Sequence, residues 1–225
     1  MDFRWDLVIS SVPLLLQGAW LTIKLTTIAV FFGIILGTLA ALLRLTKGPF
    51  RYLASIYVDF MRGTPLLVQI FIIYYGIPSI TGGQISPSIV DIWPFIAAVI
   101  ALSINSGAYV AEIVRAGIQA VEKGQSEAAL SLGLTPAETM RHIILPQAFR
   151  HIVPPLGNEF IALLKDSSLV SAIALEELVR KGQIIVGRTF RPFEVYFVVA
   201  ILYLIMTVTI SRIVSILERR LRVGE

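Results

Sequence analysis

The sequence predicts an all-α integral membrane protein with about five transmembrane helices and a helical loop on the cytoplasmic side. Three observations predict it. The chain is 56% hydrophobic with a mean hydropathy of +0.81, only 15% of its residues are charged, and its apolar residues gather in five long stretches. A soluble domain carries about a quarter of its residues as charges, because most of its surface must face water. This chain falls well short, so its solvent is largely lipid.

The stretches are 20–43, 52–75, 92–114, 152–175 and 195–217, within a single transmembrane domain over residues 1–225. Each is long enough for a helix to cross the hydrocarbon, which takes about 20 residues. The first is free of charge from Leu25 to Leu43 and the last from Val195 to Ser211. The second and fourth contain charges and helix breakers, which marks them as functional segments. Residues 5–19 read either as an additional amphipathic segment lying at the surface or as an extension of the first stretch. Gly33 and Gly37, extended by Ala40 and Ala41, form a small-residue stripe that lets two helix backbones approach closely, for packing within the bundle ahead of a dimer seam.

Orientation follows from the bases between the stretches. With the N-terminus outside, the cytoplasmic segments hold Arg44, Lys47, Arg51, Arg115, Lys123, Arg141, Arg150, Arg212, Arg219, Arg220 and Arg222. The outer side holds only Arg4, Arg180, Lys181, Arg188 and Arg191. The balance predicts an N-terminus outside and a C-terminus in the cytoplasm, with the basic 180–191 segment running against the rule. In so apolar a chain, the net charge of +4 marks cytoplasmic loops and ends, not a nucleic-acid partner. There are no cysteines, which excludes disulfides and thiolate chemistry, and His142 and His151 are too few for a metal site. Arg4 sits between acids with no small-residue cleavage site behind it, unlike a removable signal peptide.

The polar segment 115–151 is the most informative. Gly133 fits the left-handed residue that ends a helix. Thr135 as N-cap, Pro136 at the first helical position and Glu138 closing a capping box then start another, which Pro146 stops. The expected result is two short helices joined by a tight turn and projecting from the membrane. Ala128, Ala129, Leu130, Leu132 and Leu134 give this loop an apolar surface that fits a soluble docking partner; folding back on its own bundle is the alternative.

Glu127-Ala128-Ala129, then Gly133 after three residues, then Ile143, Leu145 and Pro146 resemble the EAA loop of bacterial ABC-importer permeases at every position. Two further stretches, from Phe60 to Gln69 and from Asn105 to Arg115, are similar to the polar amino-acid uptake branch of that family, which includes histidine-, glutamine- and arginine-type permeases. The resemblance covers essentially the whole chain. It implies a five-helix subunit in the bacterial inner membrane, working as a homo- or heterodimer with two ATP-binding cassette subunits and fed by an extracytoplasmic solute-binding protein. It also implies that segment 120–147, with Glu127, Ala128, Ala129, Gly133, Leu134, Pro136 and Pro146, couples the bundle to the ATPase. The chain itself contains no G-x-x-x-x-G-K-[ST] phosphate loop, nucleophile–base pair or metal cluster, so neither ATP hydrolysis nor a resident cofactor is expected of it.

An ionised side chain at mid-bilayer costs roughly 2.5–3.5 kcal/mol, so each one calls for a reason. Arg62 lies about 16 Å from Arg51 at the helical rise of 1.5 Å, beside a helix break at Gly63-Thr64-Pro65. It either pairs with Asp59 one turn away or receives a substrate carboxylate. In the fourth stretch Pro154, Pro155 and Gly157 weaken the helix before Asn158 and Glu159, and Asp166 follows on the face of Glu159. Two acids facing a cavity favour a cationic guest, unless Lys165 neutralises one of them. Asn105, Tyr109 and Glu112 share a face of the third stretch. The expected pocket places Glu159 and Asn158 on the cationic end of a basic amino acid and Arg62 on its carboxylate, with Asp166, Asn105 and Tyr109 around it. The alternatives are an ion-coupled secondary transporter and a cation channel, for which the projecting loop has no use.

Overall fold

A computed structural model describes residues 4–82 and 89–222. Part of the expected outer segment 76–91 therefore lies outside the described residues. Those residues form α1 (Trp5–Leu45), α2 (Pro49–Gly63), α3 (Leu66–Phe71), α4 (Ile77–Ile80), α5 (Trp93–Gln119), α6 (Lys123–Ser131), α7 (Pro136–Thr139), α8 (Leu145–Asp166), α9 (Leu178–Thr189) and α10 (Pro192–Arg222). Wider π turns at Ile72–Gly76 and Met140–Ile144 join α3 to α4 and α7 to α8, and a tighter 3₁₀ segment, Ser167–Ile173, follows α8. Among the described residues there is no strand.

α1 and α5 are the most extensively packed pair, and they run parallel: Gly33 meets Ser106, Gly37 meets Val110 and Arg44 meets Glu112. The small-residue stripe is what brings them together. A Cβ at Gly37 would stand 2.5 Å from Val110 Cβ and 2.6 Å from the Gly107 carbonyl oxygen, too close for any side chain. The stripe is thus consumed inside the chain. Around this pair the core gathers in three groups, at Leu25, Ile70 and Leu102, at Val58, Val110 and Ile144, and at Leu15, Leu164 and Leu178.

Residues 5–19 are not a separate surface segment. α1 runs unbroken through Pro13, with Ser11, Leu15, Gly18 and Ala19 buried where it packs on α9 and α10. Among the described residues three helices, α1, α5 and α10, are long and apolar enough to cross a membrane by themselves. The second expected span is a bent pair, Pro49–Gly63 and Leu66–Ile80, turned by 108°. The fourth expected span contains α8, whose 22 residues include Arg150, Glu159, Lys165 and Asp166. Its length suffices, but its charges set it apart from the lipid-facing helices, and it packs on α5 and α10.

Two helix ends differ from expectation for the same reason. Pro154 and Pro155 do not break α8, and Pro146 does not stop a helix but occupies the first turn of α8. Proline lacks a backbone N–H, which is harmless in a first turn and tolerable inside a helix when neighbouring helices hold it in place. The basic 180–191 segment is largely α9, and two of its bases are neutralised locally: Lys181 pairs with Glu176 and Arg191 with Glu194.

Candidate functional site

The break in the second span is built by local sequence. Thr64 precedes Pro65 and is forced to an extended backbone, φ −118° and ψ 146°, because the proline ring excludes the helical region for the residue before it. The exposed carbonyls need donors, and Gln69 supplies them. Its Nε2 lies 2.8 Å from the Met61 carbonyl, 3.1 Å from the Thr64 carbonyl and 2.8 Å from Thr64 Oγ1. Asn105, buried on α5, donates to Gln69 Oε1 at 3.0 Å and reaches the Met61 carbonyl at 3.4 Å. Its amide is spent on holding the break, which leaves it a positioning role beside the site.

One turn further along α5 the geometry changes to charge. Arg62, at the end of α2, places its guanidinium 5.5 Å above the Tyr109 ring and 3.5 Å from Glu112 Oε1. Arg44, at the end of α1, also bonds Glu112 Oε1, and Arg115 donates to Oε2 through Nη2 at 2.6 Å and Nε at 3.1 Å. Three arginines from three helices thus share one carboxylate. The Asp59–Arg62 pair does not form: Asp59 is exposed and without an ion pair among the described residues, because the break points Arg62 towards α5. An open groove of about 470 Å³ runs between α5 and α8 beside this cluster, lined by Glu112, Ala116, Gly117, His151 and Pro155 among others. That volume lies within the range of small-molecule sites, roughly 300–1,000 Å³.

Glu159 stands at the level of Ser106, six residues before Glu112 and therefore about 9 Å away along α5. It is half-buried and accepts a hydrogen bond from Ser106 Oγ at 2.9 Å. No ion pair joins it, or Asp166, to Lys165 among the described residues; Lys165 and Asp166 are both exposed at the far end of α8. Asn158 is exposed. The expected residues therefore fall into a cluster of Arg62, Tyr109 and Glu112, a separate Glu159 level, Asn105 at the break, and Asn158 and Asp166 apart.

Sequence reasoning missed Arg44, Arg115 and Ser106, whose partners lie far along the chain or whose side chains carry no distinctive signal. It also missed Glu177. That carboxylate is fully buried and caps α9, accepting from the Val179 and Arg180 amides at 2.9 and 2.8 Å and from the Tyr203 hydroxyl at 3.1 Å. Its only signal is an acid pair, Glu176-Glu177, inside an otherwise apolar run.

The projecting loop folds as the two helices α6 and α7. Gly133 takes φ +87°, and the Thr135–Glu138 capping box closes in both directions, with Thr135 N to Glu138 Oε2 at 2.8 Å and Glu138 N to Thr135 Oγ1 at 3.3 Å. The two hydrogen bonds from Thr135, backbone first and side chain second, hold the Glu138 carboxyl below the ordinary glutamate range. Glu127, Ala128, Leu130 and Pro136 are exposed, Leu132 is 82% exposed, and Ala129 is buried. Leu134 is half-buried and Pro146 exposed. α6 packs on the Met140–Ile144 turn at the head of α8, so a push on the loop reaches α8 directly.

Residues 33–223 match the family model described as the binding-protein-dependent transport system inner membrane component. The chain is 40% identical over 224 residues to the glutamine transport system permease protein GlnP of Escherichia coli (strain K12), covering 99% of this chain and 100% of the relative. It is 46% identical over 220 residues to the L-cystine transport system permease protein TcyB of Bacillus subtilis (strain 168), covering 96% and 91% respectively. Its structure superposes, with a TM-score of 0.90 and 46% identity, on a chain from the crystal structure of an amino acid ABC transporter with histidines, over 98% of this chain and 100% of that one. The chain belongs to the family of binding-protein-dependent transport system inner membrane components.

Proposed function

We propose that the chain is the transmembrane permease subunit of an ATP-driven amino-acid importer, selective for basic or polar amino acids. As a member of its family it is a transport subunit rather than an enzyme. It would work with two ATPase subunits, a second permease subunit and an extracytoplasmic solute-binding protein. The N-terminus lies outside and the C-terminus in the cytoplasm of a bacterial inner membrane, with α8 as the fourth crossing and α10 as the fifth. The ATPase docks on α6 and α7 through Glu127, Ala128, Gly133, Leu134 and Pro136, and its closure on ATP moves α8 through the Met140–Ile144 turn. The outward-facing apolar residues of α1 and α10, such as Phe31, Leu39, Leu204 and Ile205, meet lipid.

The observation that carries the choice of cargo is the vertical arrangement of opposite charges. An acid with no cationic partner among the described residues, Glu159, stands about 9 Å along α5 from a cluster with three guanidiniums. An extended amino acid with a cationic side chain and a free carboxylate spans two such levels. Glu159 would hold the cationic end and Arg62 the carboxylate. Relatives named for glutamine and cystine transport, and a structural neighbour described with histidines, support an amino acid as cargo.

The test is Glu159→Lys in the complex with its ATPase, reconstituted in vesicles. Arginine uptake is expected to vanish, and uptake by the unaltered complex is expected to stop without ATP. Persistence of uptake with unchanged affinity would place the pocket elsewhere. Passive conduction without an ATPase would instead mark a channel.

A further inference from the structure

We propose that Glu112 is a resident stand-in for the cargo's carboxylate: it occupies Arg62 until the carboxylate of an incoming amino acid displaces it. This deepens, and rests on, the reading of the chain as an amino-acid permease.

The three arginines are not equivalent. Arg44 bonds Glu112 directly with its side chain only 16% exposed, and Arg115 grips the second oxygen at two points. Arg62 is the outlier, at 3.5 Å and with 42% of its side chain exposed. Tyr109 flanks the guanidinium on one side, 5.5 Å from the ring centre, and its exposure leaves N–H groups available to a second acceptor. The preceding residue, Met61, is pinned through its carbonyl by Gln69 and Asn105, so the arginine is held by the broken helix and does not wander. A planar guanidinium with a free edge matches a carboxylate, with two parallel N–H···O bonds.

Charge points the same way. Three guanidiniums against one carboxylate leave a formal excess of two positive charges in a half-buried region beside the groove. A second anion relieves that repulsion. The exchange also leaves no orphan, because Glu112 keeps Arg44 and Arg115 when Arg62 turns to the cargo, and an uncompensated carboxylate would otherwise oppose the step. Return of Glu112 to Arg62 then competes the carboxylate away, which assists release.

The experiment measures equilibrium binding of L-arginine and L-argininamide to the purified permease–ATPase complex by isothermal titration calorimetry. The amide lacks only the carboxylate. The unaltered complex is expected to prefer the acid. Glu112→Gln removes the competing charge, so arginine binding should tighten about tenfold, the scale of one charge-assisted hydrogen bond, with argininamide unchanged. Arg62→Gln should bind acid and amide alike. Glu112→Gln weakening both ligands equally would show a merely structural network and overturn the proposal, as would an acid preference that survives Arg62→Gln. Should Glu112→Gln fail to assemble, Arg62→Gln decides alone, because Glu112 there retains two partners. If the unaltered complex imports arginine but its acid preference is independent of Arg62, this inference falls together with the assignment of Arg62 to the carboxylate, and the reading as an amino-acid importer stands; if it neither binds nor imports amino acids, that reading falls as well.

Discussion

Glu112, on α5, and Glu159, on α8, stand at neighbouring levels of the bundle and differ in the company they keep. Glu112 is surrounded by three arginines drawn from α1, α2 and α5, while Glu159 has one neutral hydroxyl, from Ser106. An acid saturated with cations ties helices together and sets the local potential. An acid that lacks one invites it from outside. The difference teaches that in a lipid-facing bundle the informative charges are those whose partners do not balance them.

The comparison can be broken most severely at Glu112. Glu112→Lys puts four cations in one place, and the complex is expected not to assemble, as read by size-exclusion chromatography; normal assembly would mean the cluster holds nothing together. Glu159→Gln comes next. Arginine uptake should fall at least about tenfold, the loss of one charged hydrogen-bonding partner, while the melting temperature shifts little. Equal losses for arginine and glutamine would remove the distinction between the two acids. Ser106→Ala leaves the Glu159 charge in place and frees its oxygen, so the cost is about 1 kcal/mol, a several-fold change in arginine affinity.

The smallest effect lies in the loop, where an acid is paired within its own turn, with the amide and hydroxyl of Thr135. Glu138 is held below its ordinary range when folded, so the capping box contributes stability at pH above the unfolded value and loses it as pH falls through the folded one. Amide exchange across 135–139 should therefore accelerate on acidification. Thr135→Ala, which removes a cap worth about 1 kcal/mol but keeps the residue's N–H on the carboxylate, should weaken that pH dependence, and Glu138→Gln should erase it.

What was legible in the sequence was local. Gly133, Thr135, Pro136 and Glu138 act within five residues of one another, and the break at Gly63-Thr64-Pro65 follows from the proline's effect on its neighbour. The apolar stretches were equally plain, since about 20 residues of lipid-soluble helix leave no other reading. The Glu112 cluster was not legible, because Arg44 bonds an acid 68 positions away and the helix break redirects Arg62 from Asp59 to α5. Helix continuity through Pro154 and Pro155 was hidden for a related reason. Propensity argues against it, and only packing on α5 and α10 overrules propensity.

The absence of a side chain at Gly37 has a mechanical consequence. With Val110 and the Gly107 carbonyl pressed against its backbone, α1 cannot slide or roll on α5 without collision. The two therefore travel as one plank, and any opening and closing of the pathway must be taken up by the bend at Thr64-Pro65 and the loosely wound turns at Ile72–Gly76 and Met140–Ile144.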